Sequence, residues 1–145
     1  MGRYLGVDAR RVCVILDTNM LMLLHRGIDV FNSIEETIEA RVEFIIPQPV
    51  IEELEKLASR GTPSERRAAA NALRIVGEKK ASIISIPRPT GTVDFDVALY
   101  ARTRGCLVAT NDKELRRTLR RLGVPEIHLR ESEGILEASF KPPYL

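Results

Sequence analysis

Short β-rich apolar runs alternate along this chain with longer segments of helical period, and that alternation leaves few architectures open. Residues 12–16, 43–46, 83–86, 106–110 and 127–130 read as strands, and 28–40, 49–59, 64–79, 92–104 and 113–122 read as helices. A strand followed by a helix, several times over, predicts an α/β fold: a central, mostly parallel sheet flanked by helices on both faces, in three α/β/α layers. Ser64 and Thr92 are the expected N-caps of their helices. Gly61-Thr62-Pro63, Pro87-Arg88-Pro89-Thr90-Gly91 and Gly123-Val124-Pro125 punctuate the pattern but are too short to divide domains. With 145 residues, 44% of them apolar, the chain reads as one domain over 1–145 that can bury a core without disulfides or structural metal. The tail 141–145 reads as extended.

The formal net charge is only +2, although 29% of residues are charged and most of the positive ones are Arg, which suits bidentate contacts to phosphate. Cys13 and Cys106 fall inside expected strands with no zinc-site spacing, so they are expected as buried thiols of a cytoplasmic protein. No apolar run approaches the roughly 20 residues needed to span a bilayer, and the start lacks the pattern of a secretion signal. The expected protein is soluble, with no membrane partner.

In an open parallel sheet the working crevice lies beyond the carboxyl ends of the strands. Val14-Ile15-Leu16-Asp17-Thr18-Asn19 is an apolar run that ends there in a carboxylate, and Asp112 stands two residues past Thr110 in Thr110-Asn111-Asp112. Glu53 falls in the early turns of the helix after the second strand. At about 100° per residue it borders the stripe of Val50, Leu54 and Leu57, which predicts a semi-enclosed carboxylate, whereas Glu52 points away. Asp94 and Asp96 both lie near the start of a later helix, where the apolar pattern is too broad to choose between them. Each acid alone has a plainer explanation: Asp17 could cap a helix near Met20, and Asn111 or Asp112 the next, with Glu114 completing a capping box from Asn111. The recurrence of strand-terminal Asp with Thr and Asn beside it favours a site, with Thr18, Asn19, Thr110 and Asn111 in support.

Two carboxylates about 5 Å apart repel by roughly 3 kcal/mol at an effective dielectric of about 20, so four of them require cations. All-oxygen ligands with no suitably placed His or Cys point to Mg²⁺ or Mn²⁺. Such ions activate water toward phosphorus and stabilise a departing oxygen, and phosphodiester hydrolysis is the natural reaction. There is no Gly-rich phosphate cradle, no G-x-S-x-G turn and no dinucleotide fingerprint. Asn19 stands where a D-x-D phosphoacceptor enzyme needs Asp. His25, near the end of a short helix, and His128, in the last expected strand, read as structural. On the substrate side, the helix beginning beside Asp112 turns Arg116, Arg117, Arg120 and Arg121 toward solvent, and Arg60, Arg66, Arg67 and Arg74 could add to a phosphate-binding face, with a plain solubilising face as the equal alternative.

Together these residues resemble the PIN-domain ribonucleases, and within them the archaeal and eukaryotic branch linked to ribosomal RNA processing. The resemblance rests on the opening Val14-Ile15-Leu16-Asp17-Thr18-Asn19, on Ile28-Asp29-Val30-Phe31, on Pro49-Val50-Ile51-Glu52-Glu53-Leu54-Glu55-Lys56-Leu57, and on Val108-Ala109-Thr110-Asn111-Asp112 with Leu115-Arg116 and Gly123-Val124-Pro125. It implies Mg²⁺- or Mn²⁺-dependent endonuclease activity on RNA, a homodimer, and Asp17, Glu53, Asp96 and Asp112 as metal-binding acids. Asp96 is assigned because Asp96-Val97-Ala98-Leu99-Tyr100-Ala101 fits the family's D-x-x-L-x-x-A helix start, with Asp94 in reserve because the Gly-Thr…Asp block before it is spaced differently. Two other outcomes stay open: a VapC-type toxin ribonuclease silenced by a partner antitoxin, and a non-catalytic RNA-binding factor of ribosome assembly.

Overall fold

The structure is a computed structural model and describes residues 11–140; the expected extended tail lies outside them. Six strands form one sheet in the order β3-β2-β1-β4-β5-β6. These are β1 (Val12–Leu16), β2 (Val42–Pro47), β3 (Ser82–Ile84), β4 (Leu107–Ala109), β5 (Glu126–Arg130) and β6 (Ile135–Ala138). The first five run parallel, with Val14 of β1 opposite Phe44 on one side and Leu107 on the other. β6 was not expected; it returns antiparallel to β5 and closes the edge.

The helices are α1 (Thr18–Met22), continued by a 3-10 turn at Leu23–Arg26, then α2 (Val30–Ile38), α3 (Gln48–Arg60), α4 (Pro63–Lys79), α5 (Val93–Arg104) and α6 (Lys113–Arg121). Strand alternation separates two cores, one on each face of the sheet. Val14 and Leu16 pack with Met20, Ile34, Leu54 and Ala72 on the face covered by α1 to α4. Ile15 and Val108 pack with Val97, Ala101, Leu115 and Leu119 under α5 and α6.

Local chemistry departs from expectation at several positions. Thr62, not Ser64, caps α4: its hydroxyl accepts from the Glu65 amide at 3.2 Å while Glu65 accepts from the Thr62 amide at 2.9 Å. The corner before it needs Gly61, because a Cβ there would lie 2.7 Å from the Leu57 carbonyl oxygen. Thr92 is the N-cap of α5 but makes no side-chain cap hydrogen bond. Of the two cap candidates for α6 it is Asp112 that caps, so the alternative capping box from Asn111 does not form. The cysteines are not thiols. Cys13 on β1 and Cys106, the residue before β4, are joined in a disulfide, because these neighbouring strands bring their Cα atoms to 4.7 Å. Among the described residues no helix is long and apolar enough to cross a membrane.

Candidate active site

β1 feeds β2 on one side and pairs with β4 on the other, so the order of strands reverses beside β1 and leaves a crevice at its carboxyl end. Asp17 is the first residue past β1 and caps α1, its Oδ1 accepting from the Thr18 amide at 2.7 Å. Oδ2 accepts from the Thr110 hydroxyl at 2.8 Å, and the same hydroxyl accepts from the Asp112 amide at 3.1 Å. The Thr18 hydroxyl reaches over to α3 and donates to Glu53 Oε1 at 2.8 Å. Asn19 Oδ1 accepts from the Asn111 amide at 3.0 Å, and Asn111 Oδ1 accepts from the Leu129 amide at 2.8 Å. Each Thr and Asn flanking the two strand-terminal Asp residues thus ties one element to another. These bonds fix the relative positions of β1, α3, β4 and β5 at one end of the sheet.

The result is a cavity of about 420 Å³ lined by Asp17, Thr18, Asn19, Met22, Glu53, Leu57, Asp94 and Asp112. Four acidic residues line it, and among the described residues no Lys or Arg does. Glu53 is exposed rather than semi-enclosed, and the Thr18 hydroxyl is what turns it inward. Burial, opposed by the bonds from Thr110 and Thr18 and reinforced by the charges of Asp94 and Glu53, pushes Asp17 up to about 6. Burial and the charges of Asp112 and Glu53 raise Asp94 as well. Such mutual repulsion is what a cation relieves, and the oxygen-only donor set fits a hard divalent ion. Among the described residues no three His, Cys, Asp or Glu side chains already form a metal-holding cluster.

Asp96 is not among the lining residues. Its side chain is fully buried on another side of α5, where Oδ1 accepts from the Thr90 amide at 3.0 Å and hydroxyl at 2.8 Å, and Oδ2 accepts from Arg88 Nε at 3.0 Å. Burial opposes its ionisation, but these bonds and the Arg88 charge outweigh that and hold the carboxyl below its ordinary range. An acid saturated in this way has no oxygen directed at the cavity. Asp94, two residues earlier, occupies the place expected of Asp96.

The arginine face also divides. Arg116 and Arg120 lie 3.3 and 3.4 Å from the fully buried Glu126, which His128 Nδ1 also meets at 2.9 Å. Arg117 pairs with Glu114 at 2.6 Å and Arg74 with Glu78 at 2.9 Å. Arg60, Arg66, Arg67 and Arg121 are exposed and make no ion pair among the described residues. His128 bridges Glu126 and, through Nε2, Glu137 at 3.3 Å, a structural role; His25 is exposed in the 3-10 turn. Glu126 carries no motif and was not foreseen.

Residues 14–132 match the family model described as a PIN like domain. Over 124 residues the chain is 31% identical to Ribonuclease VapC9 of Archaeoglobus fulgidus, covering 85% of this chain and 87% of that protein. It is 28% identical over 123 residues to Ribonuclease VapC4 of Methanocaldococcus jannaschii, covering 83% and 92%. Among solved structures, the PIN domain endonuclease Utp24 superposes with a TM-score of 0.71 at 26% identity, over 92% of this chain and 96% of that one. An α/β sheet with acids at its strand ends is thus the frame of a nuclease class, and this chain belongs to the PIN-domain ribonuclease family.

Proposed function

We propose that this chain is a Mg²⁺- or Mn²⁺-dependent endoribonuclease, built as one nuclease domain, whose working acids are Asp17, Glu53, Asp94 and Asp112. The observation that carries the reading is that these four acidic residues, with no cationic side chain among the described residues, line one cavity at the sheet's switch point. A divalent ion bound there would lower the pKa of a water for attack on phosphorus and stabilise charge on the departing oxygen. The protein's own part is to hold the acids in place before substrate arrives. Thr110 fixes Asp17 and the backbone of Asp112, while Thr18 fixes Glu53. Arg60 stands two turns beyond Glu53 on the stripe of α3 that includes Leu57, so with Arg66 and Arg67 it offers an exposed basic path to the cavity. Arg121 remains available on α6; Arg116, Arg117 and Arg120 are engaged by Glu126 and Glu114.

The test is cleavage of single-stranded RNA by purified protein. We expect products with 5′-phosphate and 3′-hydroxyl ends in Mg²⁺ or Mn²⁺, and no cleavage in EDTA or by Asp17→Asn. Equal cleavage with and without EDTA would overturn the reading.

For the RNA itself we favour a ribosomal precursor, which the sequence resemblance to the branch linked to ribosomal RNA processing implies. A second reading, a VapC-type toxin held by an antitoxin, is supported by the names of the two curated relatives. RNAs crosslinked to the protein in its own cells decide between them: pre-ribosomal fragments support the first, transfer or messenger RNA the second.

A further inference from the structure

The loop between β3 and α5 is organised around Asp96, the carboxylate that the acid cavity does not use. Asp96 has no exposed side-chain surface, and burying a carboxylate is costly unless its partners are well placed. Its two oxygens gather Thr90 and Arg88, and Arg88 Nη2 donates onward to the Gly91 carbonyl oxygen at 3.0 Å. A guanidinium is a rigid planar fork, so fixing Nε and Nη2 also fixes the direction of Nη1. Nη1 has no partner among the described residues, and Arg88 keeps 39% of its side chain exposed. Were Arg88 present only to neutralise Asp96, nothing would require its outer edge to stay open.

Arg88 lines a separate cavity of about 180 Å³ together with Gln48, Pro49, Glu52, Ser85 and Ile86. Gln48 directly follows β2 and Ser85 directly follows β3, so this cavity sits at the same carboxyl edge of the sheet as the acids. With adjacent strands about 4.8 Å apart, the end of β3 lies roughly 10 Å along that edge from the end of β1. α3 separates the two cavities: Glu53 lines one and its neighbour Glu52 the other. Among the described residues Glu52 is the one carboxylate lining the smaller cavity, and it is solvent-exposed, where its charge is screened.

We propose that Arg88, oriented by Asp96, is a substrate-positioning residue that takes a phosphate of the RNA strand next to the segment lying over the acid cavity, with Gln48 and Ser85 as further polar contacts. Asp96 then acts through Arg88 and not on the reacting atoms. The inference rests on the endoribonuclease reading, but its test does not depend on catalysis.

The probe is a fluorescently labelled single-stranded RNA, titrated in EDTA at a series of KCl concentrations against wild type and the double variant Arg88→Gln with Asp96→Asn. That pair removes both charges together and leaves groups able to hydrogen-bond. We expect the plot of log affinity against log salt to flatten by about 0.7, the contribution of one phosphate contact to a single strand. In Mn²⁺ the loss should fall on KM, about tenfold, rather than on kcat. Should the double variant fail to fold, Arg88→Lys gives the same reading, since one ammonium can stay on Asp96 but cannot also present a second nitrogen to the cavity. An unchanged slope and KM in a folded variant would overturn the inference and leave the nuclease reading standing. Binding that depends on Arg88 without any cleavage by wild type would support the inference and sink the nuclease reading. Absence of RNA binding by wild type in EDTA would overturn the inference, while cleavage in Mn²⁺ would still decide the nuclease reading.

Discussion

The buried hydroxyl of Thr110 donates to Asp17 and accepts from the Asp112 amide, so one side chain sets the spacing of two acids from different strands. Asp17 nevertheless titrates high, at about 6 against an ordinary 3.8, because burial and the neighbouring charges outweigh that bond. A carboxyl raised on folding binds its proton more tightly in the native state. Its contribution to stability is therefore full at pH below about 4 and is lost as pH rises toward 6 and beyond. The difference corresponds to about 3 kcal/mol at neutral pH. In EDTA, Asp17→Asn should thus melt above wild type at pH 7.5, and the gap should close as pH falls toward 4. Added Mn²⁺ should raise the wild-type melting temperature by mass action and the variant's much less. Melting curves in which the variant is the less stable at pH 7.5 and gains equally from Mn²⁺ would mean that Asp17 is only a cap. The choice between Asp94 and Asp96 was not legible in the sequence. Apolar side chains lie on several sides of α5, from buried Val97, Ala98 and Ala101 to exposed Phe95, so periodicity gave no direction. The family helix pattern fitted Asp96, yet what decides its surroundings is a loop residue, Arg88, eight positions away.

Among the elements, the strands with strong β-branched runs were readable from sequence, and β1 falls on its expected bounds. β6 was missed because Ile135-Leu136-Glu137-Ala138 carries little β signal of its own and is held by pairing with β5, where Arg130 meets Glu137 at 3.0 Å. That contact, aided by His128, holds Glu137 down at about 2. The cap of α4 lies before Pro63 and not after it, because Pro fills the first helical position and the Thr62-x-x-Glu65 spacing closes a capping box around it. The disulfide could not be read at all, since Cys13 and Cys106 are 93 residues apart and become neighbours only when β4 inserts beside β1. Asp17 and Thr110 directly follow those two strands, so the bond fastens the pair on which the site is built. Closing so long a loop stabilises by about 4 to 5 kcal/mol on the chain-entropy estimate, as a ceiling. Cys13→Ala with Cys106→Ala should lower the unfolding free energy by a large part of that, read as a lower denaturant midpoint at unchanged slope, and reductant should do the same to wild type. Superposable unfolding curves with and without reductant would contradict a structural bond.

Across the whole molecule, two cores hold a parallel sheet between helical layers, and the polar chemistry gathers where the strands end. That placement followed from the sequence, because an apolar run that stops at Asp can only put the Asp beyond the strand's carboxyl end. The path of the substrate did not follow so well, because arginines on one helix face look alike until their partners are known, and Glu126 withdraws two of them. Catalysis is assigned to the four-acid cavity, and Asp94 is the member that the sequence did not single out. Single-turnover cleavage of a labelled RNA at saturating protein in Mn²⁺ should slow at least about a hundredfold in Asp94→Asn, a loss of about 3 kcal/mol of transition-state stabilisation. Cleavage by Asp94→Asn at the wild-type rate would contradict it.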